Sequence, residues 1–314
     1  MQSVDDAGAR LRKALYGNQK DKEKEVLEIV INNDLETRLS IAKYYEAVYT
    51  TPLQDDLKAK LNPHFRNLVM DLFLSPVDYD VQQLKTSFKG FSIDEGVIFE
   101  IFTSRSYEML QEINKLYKVQ NGKEIRQEIE KNFGNPFKKN LITLLNTQRN
   151  VNSRPDKAQC ERDAEILYST QETNWSNDDI FNNIFALKSP EELVLIGRYY
   201  YRKTGVTLID AIEKKMSGKV KTFFRELLYN VILPAELFAE KIYEAIKGIG
   251  TNTTILNRVL ATRNEIDMPE IRELYFWKYK VNMKDDIIGD TSGNYQNKDE
   301  DKRRSIEDSL QNLQ

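Results

Sequence analysis

The sequence has one histidine, His64, and one cysteine, Cys160, among its 314 residues. These two side chains leave little material for a zinc site or for catalysis by histidine or cysteine. A lone cysteine also excludes a disulfide within the chain and fits a reducing compartment. No apolar run approaches the roughly 18 residues that span a bilayer, and the charged first residues do not resemble a secretory signal. We therefore expect a cytoplasmic protein.

A surplus of positive charge is also missing. The formal net charge is -3 at pH 7, so the chain has no basic excess that would attract nucleic acid or an acidic membrane. Charged residues make up 30% of the chain and hydrophobic residues 40%, the composition of a globular protein with a substantial core. We expect no nucleic-acid partner. An acidic protein that binds an anionic surface needs a bridging cation or a local basic patch.

What the sequence does contain is an internal repeat. The segment LKTSFKGFSIDEGVIFEIFTSRSYEMLQEI, residues 84–113, aligns without a gap to IYEAIKGIGTNTTILNRVLATRNEIDMPEI, residues 242–271, at a shift of 158 positions. Two weaker copies lie near the start of the chain and from residue 163 onward. A spacing of roughly 75 residues suggests one helical subdomain for each copy. We predict four repeats, at 5–76, 77–149, 158–233 and 234–314, with a linker at 150–157.

Apolar residues within the second copy follow helical spacing and define five short helices without a convincing strand. They are Leu84, Phe88, Val97, Ile98, Ile101, Phe102, Leu110, Ile113, Leu116, Tyr117, Ile125, Ile129, Phe137, Leu141, Leu144 and Leu145. Gly122 is the expected C-cap of the third helix. In the fourth copy Trp277 falls in a stripe with Leu274 and Val281, which assigns it to the core. The predicted fold is all α, with about five helices in each repeat.

The motif GDTSG, Gly289 to Gly293, resembles the surroundings of an aspartic protease carboxylate. That active site needs two like carboxylates on two β-rich lobes, whereas this chain has one such motif in a helical repeat. No nucleophile–base pair and no phosphate-cradling Walker loop accompanies it. We predict a binding protein and no enzymatic activity.

The loop IKGIGT, Ile246 to Thr251, lies between two predicted helices of the fourth repeat. Its glycines permit backbone conformations that turn carbonyl oxygens toward a common point. Asp290 follows Gly248 by 42 residues, near the end of the fourth predicted helix. Three carbonyls and one bidentate carboxylate suit calcium, at a weak affinity of roughly 10⁻⁴ to 10⁻³ M. Taken alone, such a loop is more often a plain turn, and such an aspartate a helix cap.

Several motifs in this order resemble the annexin family over essentially the whole chain, including divergent members such as the giardins. They are KGIGT with GDTSGNY in repeat four, KGFSIDE with TSRS in repeat two, and NWSNDD in repeat three. The resemblance implies a curved disc whose convex face carries loops that bind Ca²⁺ and dock on anionic, phosphatidylserine-like phospholipid. It also implies peripheral binding at the inner face of the plasma membrane.

The resemblance further implies which residues bind the metal. In repeat four these are the carbonyl oxygens of Ile246, Gly248 and Gly250 and the carboxylate of Asp290, so that the ion bridges the protein to a lipid phosphate. The family's acidic residues after the loop are replaced by Asn252 and Thr253, which argues against an accessory calcium site.

In repeat two the resemblance implies a weaker site at Phe88, Gly90 and Ser92. The site is weaker because Asn132, at the carboxylate position, carries no charge. Acidic side chains that could compensate in part are Asp94, Glu95 and Glu130. Repeats one and three place Lys60 and Lys215 at that position, where an ammonium repels a dication. We expect no calcium there.

Three residues are predicted to contact the membrane: Lys89 and Lys247 in the loops, and Trp175, whose indole suits the headgroup boundary. The alternative for Trp175 is packing between helices. The chain departs from the annexin pattern at its end, because the shift of 158 aligns the apolar last helix of repeat two with a charged segment from Asp299 to Arg303. The last helix of repeat four is therefore atypical, and an uncovered core would favour self-association. The alternative function is that of a structural or cytoskeletal adaptor whose calcium sites have decayed.

Overall fold

The computed structural model describes residues 3–17, 22–89, 93–149, 154–170, 175–176, 178–247 and 250–293. Throughout these ranges the regular secondary structure is helical, which confirms the predicted all-α fold. None of the helices in this part of the chain is both long and apolar enough to cross a membrane.

The helices fall into four consecutive groups. The first group comprises α1 Val4–Tyr16, α2 Lys22–Ile31, α3 Leu35–Tyr49, α4 Leu53–Lys60 and α5 Pro63–Leu72. The second comprises α6 Pro76–Ser87, α7 Glu95–Ser104, α8 Tyr107–Asn121, α9 Ile125–Asn132 and α10 Phe137–Asn146. Each of these two groups therefore has the five helices expected of a repeat.

The third group comprises α11 Lys157–Thr170, α12 Asp178–Ile180 with a π-helical continuation Phe181–Ala186, α13 Pro190–Thr204, α14 Leu208–Lys215 and α15 Gly218–Ile232. The fourth comprises α16 Pro234–Ile246, α17 Thr253–Arg263, α18 Met268–Tyr279 and α19 Met283–Gly293. The predicted atypical last helix and the charged tail lie in 294–314, outside the described residues.

Helix α8 illustrates how the sequence sets the helix ends. The Ser106 hydroxyl accepts a hydrogen bond from the Met109 amide at 3.2 Å and caps the N-terminus. At the other end Gly122 has a φ of +69° and its amide donates to the Lys118 carbonyl at 2.9 Å. A side chain would strain that left-handed conformation, so the helix ends where the glycine predicts.

The chain forms two compact units, and they do not follow the order of the repeats. One unit is Val77–Leu237, which holds repeats two and three. Its core contains a cluster of phenylalanines in which Phe99 of α7 contacts Phe223 of α15, with ring centroids 5.1 Å apart. This aromatic packing joins the two repeats into one hydrophobic core.

The other unit combines Met1–Pro76 with Phe238–Gln314. Here Glu265, between α17 and α18, accepts hydrogen bonds from two groups of the first repeat. One is the Arg38 guanidinium at 2.7 Å and the other is the Leu35 amide at 3.0 Å. The Arg38 side chain is buried and the Glu265 side chain is 39% exposed, so this ion pair connects repeat one to repeat four at a site open to water on the Glu265 side.

The assignment of Trp277 to the core is wrong. Its side chain is 61% exposed, and Val281 is also exposed. The buried face of α18 is formed instead by Met268, Ile271 and Tyr275. Trp277 follows Tyr275 by two residues, and a helix turns by roughly 200° over that distance, so the indole points away from the core.

Candidate functional site

The repeat-four loop joins the end of α16 at Ile246 to the start of α17 at Thr253. Gly250 has a φ of +87°, which L side chains rarely adopt, so this position requires glycine. The Asn252 amide donates to the Ala245 carbonyl at 2.7 Å and closes the loop. The Asn252 side chain accepts from the Ile255 amide at 3.2 Å and caps α17. Gly248 lies outside the described residues.

Asp290 on α19 lies directly beside this loop. The Thr251 hydroxyl donates a hydrogen bond to its Oδ2 atom at 2.5 Å, across 39 residues of sequence. The carboxylate is partly exposed, whereas the Ile246 side chain is buried. The structure thus brings together the loop and the carboxylate that the sequence spacing singled out. Their role as metal ligands stays a prediction.

Lys247 faces a second carboxylate rather than open solvent alone. Its Nζ atom lies 2.8 Å from Asp286 Oδ1, while Asp286 Oδ2 accepts a hydrogen bond from the Tyr275 hydroxyl at 2.5 Å. The hydrogen bond to Asp286 raises the pKa of Lys247, burial lowers it in part, and the negative charges of Asp286 and Asp290 raise it further. Asp286 therefore partly neutralises Lys247.

The donor chemistry around Asp290 fits a hard cation. Together with the Asp290 carboxylate, backbone carbonyl oxygens of the loop would form an all-oxygen set of low charge, which suits calcium at weak affinity. Within the described ranges no three histidine, cysteine, aspartate or glutamate side chains cluster as a metal site. A metal ion held beside Asp290 would take most of its ligands from backbone oxygens.

The repeat-two loop is closed in the same way. The Asp94 amide donates to the Ser87 carbonyl at 3.3 Å, the counterpart of the bond that closes the repeat-four loop. Phe88 is buried and Lys89 is exposed, while Gly90 and Ser92 lie outside the described residues. The predicted weaker site can therefore be located only through its first helix and its closing bond.

The carboxylate position of repeat two holds the neutral amide of Asn132, which offers one oxygen and no charge to a metal. The Asn132 amide group donates to the Glu128 carbonyl of its own helix at 2.9 Å. The three acids considered as substitutes have other partners. Asp94 caps the Val97 amide at 3.2 Å, Glu95 pairs with Lys219 at 2.7 Å, and Glu130 pairs with Arg126 at 2.8 Å.

Repeats one and three have Lys60 and Lys215 at the carboxylate position. The Lys60 ammonium is 4.4 Å from the ring centroid of Tyr16, the last residue of α1. Lys215 lines a cleft of about 250 Å³ together with Tyr168 of α11 and Tyr200 of α13. A cation therefore stands beside the end of the first helix in both repeats. This position is unfavourable for a second cation.

Trp175 is fully buried. Its ring centroid lies 5.7 Å from that of Phe185 and 5.8 Å from that of Tyr200, and its indole nitrogen donates to the Leu167 carbonyl at 3.1 Å. This is the packed alternative. Membrane contact by Trp175 stays a prediction, and it requires the ring to leave this position.

The sequence analysis missed a tyrosine–acid pair that precedes the ligand position. In repeat one the Asp56 carboxylate accepts from the Tyr45 hydroxyl at 2.6 Å and from Tyr16 at 2.7 Å, and it pairs with Arg12 at 2.9 Å. Burial alone would raise the pKa of Asp56, but these bonds and the charge of Arg12 lower it. A recurring signal was present, because the same spacing of 11 residues separates Tyr275 from Asp286.

Comparison with known proteins agrees with this architecture. The family model described as Annexin matches residues 79–144, 162–227 and 237–298. Annexin A3 of Bos taurus is 34% identical over 291 residues, covering 91% of this chain and 88% of that protein. A solved structure of annexin III has a TM-score of 0.88 at 30% identity and covers 99% of this chain and 94% of its own. Calcium-bound alpha-14 giardin shares the fold, with a TM-score of 0.80 at 18% identity over 98% of this chain and 99% of its own.

The chain belongs to the annexin family. Membership in this family implies calcium-dependent binding to phospholipid in general terms. The matched segments cover repeats two, three and four, and the five helices α1–α5 supply the first. Which loops of this chain hold calcium is a separate matter, because the residue at the carboxylate position differs among the four repeats.

Proposed function

We propose that this protein binds anionic phospholipid membranes through calcium held at the repeat-four loop. The proposed ligands are the carbonyl oxygens of Ile246, Gly248 and Gly250 and the carboxylate of Asp290. The observation that carries the proposal is the hydrogen bond of 2.5 Å from Thr251 to Asp290, since it holds the carboxylate against the loop. Membership in the annexin family supports the same function.

Each residue of the proposed site has a separate role. Gly250 gives the loop the left-handed conformation that a set of converging carbonyls needs, and Asp290 supplies the negative charge. Thr251 orients the carboxylate, as partners of metal ligands commonly do. Calcium, when bound, would supply a positive charge, and a lipid phosphate could fill its open coordination positions. Because the protein provides one carboxylate, binding is weak without lipid and tightens when both are present.

Other loops contribute less. Phe88, Gly90 and Ser92 form the weaker proposed site, since Asn132 at the carboxylate position carries no charge. Lys89 and Lys247 are exposed and are proposed to face the headgroups. Trp175 is proposed to reach the lipid interface only after leaving its packed position. The proposal includes no catalysis, since it involves no nucleophile or general base.

The test is co-sedimentation with phosphatidylserine vesicles over a calcium titration, with Asp290→Asn compared with wild type. Asp285→Asn is a matched control, because Asp285 is exposed on the same helix and the change removes the same charge. We expect Asp290→Asn to raise the calcium midpoint by roughly tenfold or more, because the only charged ligand is lost. The control should leave the midpoint within about twofold. Equal midpoints for wild type and Asp290→Asn would exclude the repeat-four loop as the main calcium site.

A second candidate function is that of a structural adaptor at the cytoskeleton, on the cytoplasmic side of the membrane. It is favoured by Lys60, Asn132 and Lys215, which stand where three repeats would need an acid. Association with a protein filament that is sensitive to salt but not to calcium would support this alternative. Under either function, self-association at the membrane is a further proposal, and light scattering with and without vesicles tests it.

A further inference from the structure

A cleft of about 290 Å³ lies beside the repeat-two loop, and we refer to it as the repeat-two cleft. It is lined by Lys85 of α6, Lys89 just after α6, Lys123 from the turn before α9, and Glu128 of α9. Phe88 and Tyr117 add aromatic surface, and both are buried. The volume is near the lower end of ligand sites, about 300 Å³, which suits a small polar group rather than a whole lipid.

The charges of the cleft are unbalanced. Three lysines face one carboxylate, a formal net charge of +2. The Lys123 ammonium lies 3.9 Å from Glu128, the limit of an ion pair. Among the described residues, neither Lys85 nor Lys89 forms an ion pair. Two ammonium groups are therefore left to bind an anion.

Repeat four shows how the same position behaves when it is neutralised. Lys247, the counterpart of Lys89 at the shift of 158, is held by Asp286 at 2.8 Å. Glu128 is the counterpart of Asp286, but its Oε2 atom lies 3.5 Å from the Asn132 amide nitrogen and its Oε1 atom faces Lys123. Repeat two therefore has Asn132 where repeat four has Asp290, and within the described ranges its loop lysine, Lys89, has no ion pair whereas Lys247 has one.

We propose that the repeat-two cleft binds a phosphomonoester dianion directly, without calcium. Lysine is a common phosphate ligand, and two or three ammonium groups match the charge of a dianion. Burial and the charge of Glu128 raise the pKa of Tyr117 to about 12, so its hydroxyl stays neutral and adds no negative charge to the cleft. A lipid ligand for this cleft rests on the proposed membrane function, because that function brings the cleft to a lipid surface. Binding in the cleft does not require Asp290.

The same chemistry could come from a phosphorylated inositol lipid or from a soluble phosphate compound, so the experiment uses both. The first probe is vesicles of phosphatidylcholine with phosphatidylinositol 4,5-bisphosphate, and the second is inositol 1,4,5-trisphosphate in calorimetry. Both are measured in excess EGTA. The test variant carries Lys85→Gln, Lys89→Gln and Lys123→Gln. A matched control carries the same change at three exposed lysines elsewhere, Lys43, Lys115 and Lys157.

We expect calcium-free binding that falls by roughly tenfold or more in the test variant and by less than about threefold in the control. Glu128→Gln should tighten binding several-fold, since it removes the one opposing charge. Binding of both probes would identify a general phosphate site, whereas binding of vesicles alone would identify the lipid as its source. Equal losses in the two triple variants, or no binding of either probe in EGTA, would overturn the proposal. Asp290→Asn should leave all of these values unchanged, which separates this proposal from the calcium site.

Discussion

The two tryptophans give a direct test of which surfaces are packed. Trp175 is fully buried, contacts Phe185 and Tyr200, and donates a hydrogen bond to Leu167, whereas Trp277 is 61% exposed. Replacing a buried tryptophan with alanine removes its transfer free energy and leaves a cavity, at a cost of about 3–5 kcal/mol. We therefore expect Trp175→Ala to lower the free energy of unfolding by that amount.

Trp277→Ala is the matched comparison, because it deletes the same side chain from an exposed helix face. Its described ring contacts are with Phe276, at 6.1 Å, and with the Lys280 ammonium, at 5.1 Å. An exposed cation–π contact contributes about 0.5–1 kcal/mol, so the loss should stay near 1 kcal/mol. Denaturant unfolding followed by circular dichroism measures both variants without tryptophan fluorescence. Equal losses for the two substitutions would refute the assignment of Trp175 to the core.

The same pair tests the membrane role of Trp175. In Trp277→Phe, Trp175 is the sole tryptophan and its emission reports its surroundings. Exposing about 200 Å² of ring surface costs about 5 kcal/mol, which the lipid interface has to offset. We expect blue-shifted emission until calcium and phosphatidylserine vesicles are both present, and then quenching by brominated acyl chains. Emission that stays unquenched would show that the predicted membrane contact of Trp175 is wrong.

Two further predictions concern buried charge. Burial raises the pKa of Asp71 on α5 from 3.8 to about 7, so the folded state retains a proton that the unfolded chain releases. The free energy of unfolding therefore falls as the pH rises from about 4 to 7 and is level above pH 7. Asp71→Asn removes this loss, so it should raise the free energy of unfolding by at most about 4 kcal/mol at pH 8. At pH 5 the gain should be much smaller. Arg105 and Asp80 form a buried bidentate pair with contacts of 2.6 and 3.0 Å, so Arg105→Met should cost about 3–5 kcal/mol in urea unfolding. The exposed pair of Arg126 with Glu130 is the control, and Arg126→Met should cost no more than about 0.5 kcal/mol.

The fold was largely predictable because helical spacing marks one buried face at a time. Leu110, Ile113 and Tyr117 are buried as their spacing predicts, and the helix ends at Gly122. The spacing does not identify the surface that each face packs against. The grouping of repeat two with repeat three depends on contacts such as Phe99 with Phe223, between residues distant in sequence. The prediction for Trp277 was wrong for a related reason, because Met268, Ile271 and Tyr275 form the buried face of its helix.

The candidate site was predictable only in part. The internal repeat placed Asp290 beside its loop, because an ungapped shift preserves which helices are neighbours. It could not show that Lys247 is held by Asp286, or that Asn132 is committed to its own helix. Such partners depend on side-chain geometry within one repeat. Residue type alone made Lys89 and Lys247 look equivalent, whereas in the described structure Lys247 has an ion pair and Lys89 has none.

The packing around the proposed ligand position does not depend on which residue occupies that position. In three repeats a tyrosine precedes an acid by 11 residues, and the proposed ligand position follows four residues later. These sets are Tyr45, Asp56 and Lys60; Tyr117, Glu128 and Asn132; and Tyr275, Asp286 and Asp290. The tyrosine hydroxyl bonds to the acid in repeats one and four, at 2.6 and 2.5 Å, although the final residue is a cation in one and an anion in the other. The pair therefore belongs to the packing of the third helix on the fourth, and we expect a single substitution four residues later to change the proposed calcium binding without disturbing that packing.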